Sequence, residues 1–389
     1  MTKLKIFGFS AAVLAALSFS ACGSDGGGSS DDDGISAAIS GTFKDSNVIG
    51  IDYKSGSISG TTGANGSYRC EVGKDVTFSI GEFELGKVEC SSLVTPVDLV
   101  AGGDADDQTV VNYVKFLTML DSDSDPANGI TITQKEKELS KDWKQVDFTS
   151  ASFDTDDNLN DIVDDINANG GDSVTHTLLS DDDAKAHLKS TLMCAYSGAF
   201  SGSFTGDDKG GFGALILPED GKMATIIYSN TTKDYYLGTG SRGFTLDTLK
   251  EISGKAGDVT FSGSLTANTI KGTWENTEDD KGSFSGKRIG GLSTAKYRLV
   301  GNYTGDAKGV FSIDIDSNNN ISGISYSPKE DEVSKISGTL GDDGSIDATL
   351  PDGTRITGDY DVDTGTISNG HWENGDESGD FNAQGCQLN

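Results

Sequence analysis

The chain has 389 residues, 61 acidic against 30 basic side chains and a formal net charge of −31, with 52 glycines and five prolines. So acidic a chain repels a phosphate backbone, which argues against a nucleic-acid binder; glycine without a strict period and without abundant proline excludes collagen. Hydrophobic residues make up 34%, enough for small β domains with many turns, and the length allows two to four domains. Most of the acidity reads as solubility in a salty or calcium-containing exterior, with divalent-cation binding as the sharper reading for a few carboxylates.

At the start, Lys3 and Lys5 precede "IFGFSAAVLAALSFSA", an apolar stretch too short and too rich in small residues for a comfortable membrane span, and it ends in "FSAC". Over its first two dozen residues the chain resembles a bacterial lipoprotein signal, with Phe19 where such signals prefer Leu. The resemblance implies that residues 1–22 are a signal and that Cys22 becomes the lipidated first residue of the mature protein. It also implies a lipid bilayer as partner. Gly23 rather than Asp after the cysteine implies the outer membrane, at the cell surface or its periplasmic face. An ordinary secretory signal cut nearby is the plainer alternative. Residues 23–36, "GSDGGGSSDDDG" and its flank, then read as a solvated leash. With Cys22 lipidated, four cysteines remain in an oxidising compartment, and the economical pairing is Cys70–Cys90 and Cys194–Cys386. There is no C-x-x-C pair and there are only three histidines, so zinc is a poor use of these thiols.

Residues 37–98 alternate apolar and polar positions between Gly, Asn and Asp turns, and predict a small β module of sandwich type. "GTTGANGSY" carries a hairpin signal at Asn65 and Gly66. With "GKDVTFSIG" it resembles the prealbumin-like and carboxypeptidase-regulatory-like modules of bacterial surface proteins, which are mostly stalks and imply no catalysis. Residues 99–194 change character. Val110, Val111, Val114, Leu117 and Leu120 recur at helical spacing, as do Leu159, Ile162, Val163 and Ile166 before Gly170 and Gly171. "SDDDAKAHLKSTLM" opens on a Ser/Asp cap and runs into Cys194. A helical segment packed on the β module or at its junction is expected. The β module followed by "VVNYVKFLTMLDSDSDPANGITI" resembles a recurring N-terminal arrangement in secreted proteobacterial lipoproteins of unassigned role.

The remainder is a repeat, residues 195–290 and 291–389. "GSFTGDDKGGF" from Gly202 aligns with "GNYTGDAKGVF" from Gly301, Trp274 with Trp372, and Phe284 with Phe381. Each copy holds seven or eight short alternating runs, an antiparallel meander whose exposed edges closure into a barrel would remove. Closure would set "GSFTG" beside "GSFSG". The pattern is similar to that of calycin-like barrels such as avidin; one sandwich fused from both copies is the alternative. The expected fold class is mainly β with a small helical segment: a β-sandwich-like module, a helical spacer, then two tandem meander or barrel repeats.

For chemistry, "DSDSDPANGI" is the leading candidate. Asp121, Asp123, Asp125 and Asn128 offer oxygens at alternating loop positions, as a calcium loop does, yet Pro126 stands where an EF-hand requires Gly and Ile132 where it requires Glu. A capped acidic turn explains the same residues. Trp274 and Trp372 are candidates to line ligand pockets, although matched places in both repeats also suit core plugs. Glu275 and Glu373 lack the facing partner that a glycosidase needs. His176, His187 and His371 show no ligand spacing, and no hydrolase elbow, phosphate loop or H-E-x-x-H motif is present. The expectation is therefore a non-catalytic cell-envelope lipoprotein that serves as an adhesion or ligand-binding surface module. Calcium is the one cofactor suggested, and an extracellular or periplasmic ligand is the partner. A carrier holding an apolar ligand in the barrel repeats is the alternative, and a glycosidase-type enzyme comes third.

Overall fold

The computed structural model describes residues 37–218, 221–242, 251–291 and 295–387; the signal, Cys22 and the leash lie outside the described residues. The N-terminal part forms nine short strands: β1 (Ala38–Phe43), β2 (Val48–Ile49), β3 (Asp52–Ser55), β4 (Ile58–Thr61), β5 (Ser67–Glu71), β6 (Asp75–Ile80), β7 (Phe83–Glu89), β8 (Leu93–Val94) and β9 (Ile130–Thr131). They assemble as a three-stranded sheet in the order β5-β1-β8, a four-stranded sheet β4-β3-β6-β7, and a parallel pair β2-β9. The Asn65–Gly66 turn is present, with Gly66 at φ +67°, but β4 and β5 belong to different sheets. The turn passes the chain between sheets rather than closing a hairpin.

Three helices follow the expected spacing, α1 (Gln108–Met119), α3 (Asp157–Asn169) and α4 (Asp181–Ala195), and a short one, α2 (Gln134–Leu139), was not expected. Side chains of Asp107, Thr133, Asp156 and Ser180 accept from the first free N–H groups of α1 to α4 respectively. The helices pack on the β module. Phe43, Phe78 and Phe83 from the sheets share one core with Phe116 and Leu117 of α1 and with Leu159, Ile162 and Ile166 of α3. The opposite stripe of α1, Val110, Val111 and Val114, meets Ala184, Leu188 and Leu192 of α4. Lys115, 1% exposed, reaches both Asp154 and Asp181, so one cation pins three segments together.

The repeat folds as two closed eight-stranded barrels. The first comprises β10 (Gly198–Gly206), β11 (Gly210–Ile216), β12 (Lys222–Ser229), β13 (Tyr235–Arg242), β14 (Glu251–Ala256), β15 (Val259–Leu265), β16 (Thr269–Glu275) and β17 (Lys281–Ile289). The second comprises β18 (Tyr297–Tyr303), β19 (Gly309–Ile315), β20 (Asn320–Ser327), β21 (Glu332–Leu340), β22 (Ser345–Thr349), β23 (Arg355–Asp361), β24 (Thr366–Asn374) and β25 (Glu377–Gln387). Closure is by the predicted pairing of first and last strands: Ser203 faces Ser285 and Phe204 faces Phe284 in one barrel, and Tyr303 faces Phe381 in the other. Apolar side chains point inward and polar ones outward; in β16, Ile270 and Trp274 are buried while Lys271 and Glu275 are exposed. That is the reverse of a lipid-facing barrel.

The repeated motif explains how the seam is held. Trp274 on β16 lies opposite Gly282 on β17, and its indole passes over that glycine to donate to the Thr205 carbonyl on β10, 3.2 Å away. Trp372 passes over Gly379 to the Thr304 carbonyl, 3.0 Å away. A Cβ on Gly282 would stand 2.5 Å from the Trp274 Nε1, and one on Gly379 2.6 Å from that of Trp372. One Trp thus bridges three strands across each closing seam. The barrels pack side by side, Ala199, Leu215 and Ile226 of the first against Val300, Val310 and Tyr326 of the second. Both cysteine pairs are brought together, with Cα separations of 5.6 Å for Cys70 and Cys90 and 5.8 Å for Cys194 and Cys386. The second pair joins α4 to the last strand of the second barrel.

Gly282→Val is expected to destabilise the chain by about 1–3 kcal/mol in urea unfolding, because the side chain fills the space the indole crosses. Trp274→Phe, which removes only the seam hydrogen bond and part of the ring, should cost less; an equal or larger loss would show that the glycine's role has been misjudged.

Candidate functional sites in the barrels and at the junction

Each barrel is filled at one end and hollow at the other. In the first, Phe200, Ile216, Ile252, Leu265 and Ile270 pack the base. Above them a cavity of about 410 Å³ opens between the β10–β11, β12–β13, β14–β15 and β16–β17 turns. Phe204, Phe212, Met223, Phe261, Trp274 and Phe284 line its walls. In the second, Leu299, Ile315, Ile321, Leu340 and Ile346 pack the base, and a cavity of about 310 Å³ opens at the matching end. Four ring positions recur in both, with Tyr303 in place of Phe204, and Phe261 lines only the first. Phe212 meets Phe284 edge-on at 5.7 Å, as Phe311 meets Phe381 at 5.6 Å; Phe204 meets Trp274 at 6.1 Å, as Tyr303 meets Trp372 at 6.3 Å. Trp274 and Trp372 are therefore structural seam residues and cavity walls at once, which joins the two roles the sequence left open.

The rims differ from the walls. Asp207, Asp208, Asp258, Glu278 and Asp280 surround the first mouth, and among the described residues no Lys or Arg lines that cavity. Asp306, Glu330, Glu332, Asp352 and Glu377 surround the second, where Lys329 is the single cation among the described residues and lies 3.3 Å from Glu330. Burial raises the pKa of the Tyr303 hydroxyl, so the second wall carries a neutral phenol. Both sites therefore combine an aromatic, apolar interior with a ring of negative charge.

The acidic loop after α1 turns its oxygens onto itself. Asp123 accepts from the Asn128 side chain at 2.9 Å and from the Asp125 N–H at 3.0 Å, and these bonds hold its pKa below the usual carboxylate value. Asp121 is 1% exposed; one oxygen accepts from the Thr131 N–H at 2.9 Å, and burial raises its pKa to about 6. Asp125 instead borders a third cavity of about 300 Å³ at the junction, with Lys44 and His187. The three aspartates and Asn128 form a hydrogen-bonded turn.

Sequence spacing gave the histidines no ligand role, but the fold gives two of them buried carboxylate neighbours. His187 Nε2 lies 3.3 Å from Asp45 Oδ1, and Asp45 is fully buried. His176 Nε2 lies 3.5 Å from Asp172 Oδ2, close to Glu136. Glu136 sits on α2, the one helix not predicted. Its signal was the box Thr133-x-x-Glu136, in which Glu136 accepts from the Thr133 N–H and Thr133 from the Glu136 N–H. Glu275 and Glu373 remain outward on their strands, opposite Lys281 and Arg355 respectively. The chain matches no family model, no curated protein and no solved structure in the comparisons made.

Burial opposes charge on His187, but Asp45, with Asp121 further off, outweighs it and raises the ring's pKa. A raised folded value means that the ion pair's stabilisation is complete below the unfolded value of about 6.5 and is lost as pH rises through the folded one. The stability gap between the natural chain and His187→Gln should therefore be widest near about pH 5.5 and narrow by about pH 9 in urea unfolding. A gap that widens with pH would reverse this sign.

Proposed function

We propose that this chain is a non-catalytic envelope protein, anchored in the outer membrane through lipid on Cys22, in which each barrel binds one small apolar ligand that is neutral or positively charged. The observation that carries the reading is the matched pair of cavities: same end, four recurring ring positions, apolar walls and acidic rims. Volumes of about 410 and 310 Å³ lie in the ~300–1,000 Å³ range of small-molecule sites. A carboxylate-ringed mouth repels anions and raises the local concentration of cations. Of the functions the sequence allowed, the small-molecule carrier thus gains most support, since two preformed hollows are more than a display scaffold requires.

Binding is tested with a matched pair of probes, dodecylamine and dodecanoate, read by tryptophan fluorescence, since Trp274 and Trp372 line the sites. The amine should perturb the fluorescence at a concentration at least about tenfold below that of the acid. Thr225→Phe and Ser325→Phe, which project into the first and second cavities, should each remove one of two equivalents. Preference for the acid, or binding unaffected by both fillings, would overturn the reading. Palmitate labelling tests the anchor separately: label on the natural chain and none on Cys22→Ser.

A further inference from the structure

Away from the barrels, three side chains leave buried polar atoms with no hydrogen-bond partner at one point: Glu136 Oε1, Asp172 Oδ2 and His176 Nε2. The three atoms lie within 4.8 Å of one another. Glu136 is fully buried and His176 is 2% exposed. Among the described residues no Lys or Arg pairs with either carboxylate, and His176 itself is the nearest partner of Asp172, at 3.5 Å; Lys137, the neighbour of Glu136 on α2, pairs instead with Asp52 at 2.9 Å. Two acidic groups and an imidazole whose facing atoms lack hydrogen bonds are a costly arrangement in the interior unless something positive lies between them.

The supporting contacts aim these atoms inward. His176 Nδ1 lies 2.7 Å from the Met119 carbonyl oxygen at the end of α1. A carbonyl only accepts, so Nδ1 carries the proton and Nε2 is left as the coordinating nitrogen, the outer-sphere arrangement that metal-binding histidines use. Asn167 grips the His176 backbone from both sides, accepting from its N–H at 2.8 Å and donating to its carbonyl at 3.0 Å. The second Glu136 oxygen is held by the Thr133 N–H at 2.5 Å. His176 and Glu136 each have one atom fixed and one atom presented.

We propose that Glu136, Asp172 and His176 form a structural site for a divalent transition metal, with zinc as the best match. Two carboxylates balance the ion's charge, so the buried assembly is neutral. A nitrogen ligand and few oxygens disfavour calcium and magnesium, which take six or more oxygens or keep several waters. The donors need close only slightly to meet bonds of ~2.0–2.2 Å. A water completes the four positions that zinc takes. Bound there, the ion ties α2 to the loop after α3 and, through His176, to the end of α1.

The test uses the full chain, stripped with chelator and titrated with Zn²⁺ by calorimetry, with Co²⁺ absorption and thermal unfolding as independent readouts. The expected result is one Zn²⁺ per chain, a visible Co²⁺ band that Zn²⁺ abolishes, and a higher melting temperature with metal. His176→Ala and the isosteric Glu136→Gln should each weaken binding by more than the roughly 10–100-fold that loss of an outer-sphere partner costs. Asp123→Asn with Asp125→Asn should leave it unchanged. Glu136→Gln keeps the helix cap, so it serves if His176→Ala does not fold. Affinity equal in all variants, or calcium preferred to zinc, would overturn the proposal. So would absence of binding together with a Glu136→Gln chain more stable than the natural one, which would mark a proton shared between carboxylates instead of a metal.

Discussion

Both barrels depend on the seam where an eighth strand must find the first. A meander of adjacent hairpins forms locally, but closure pairs residues about 80 positions apart, such as Phe204 with Phe284 and Tyr303 with Phe381. Such a pairing carries a loop-closure cost that hairpins avoid. The Trp–Gly device meets it by letting one large side chain cross the last strand and bond to the first. The crossing is possible only where the last strand has no Cβ, and this is why Trp and the Gly-x-Phe of the motif recur together. Gly206, at φ +132°, ends the first strand of one barrel, and Gly305, at +117°, follows two residues after the first strand of the other, both beside the seam. The carbonyls that receive the two indoles belong to the residues just before them.

The same device determines where the hollow lies. A Trp committed to the seam lies against the wall and leaves the barrel axis to smaller side chains. Phe212 and Phe284, or Phe311 and Phe381, reach across at mid-height, and branched aliphatic residues fill the base. The turns above them are short and acidic, and they rim the opening without covering it. The base faces the chain's other constraint. Cys194 and Cys386 tie the closing strand of the second barrel to α4, across a sequence separation of 192. A loop of that length loses roughly 5 kcal/mol of unfolded-state entropy when closed, in the chain-entropy model. Arg298, 1% exposed, pairs beside this bond with Asp314 at 3.0 Å, so the filled end is also the tethered end.

Legibility in the sequence followed the range of the interaction. Local patterns gave α1, α3 and α4 with their caps, and repeated anchors gave the barrels, their number and their closing strands. The hairpin at Asn65 and Gly66 was misread because turn chemistry specifies a bend, not the sheet that receives the next strand. The cavities were undecidable because glycine at so many inward positions is compatible with either a hollow or a close backbone approach; Gly282 and Gly379 prove to be the latter. The group at Glu136 was invisible for a different reason. Its members lie 36 and 4 residues apart on a helix and a loop, and each looks ordinary in its own segment. Only tertiary packing reveals that they share one unpaired space.

The two barrels also separate what duplication retained from what it released. Trp274 and Trp372, Gly282 and Gly379, Phe212 and Phe311, and Phe284 and Phe381 are identical pairs in equivalent positions, and all of them touch the seam or the frame. Of the residues that face the hollow, some are matched, Asp207 with Asp306, Ser229 with Ser327 and Asn276 with Asn374, and others are not: Ile227 of β12 stands where Ser325 stands on β20, and Lys329 enters only the second rim. A core under pure packing constraint would be expected to vary least where it is most enclosed. Here the seam and the paired rings beside it are the most constant parts, and the upper wall and rim vary only in part, so duplication held closure more tightly than the lining of the opening.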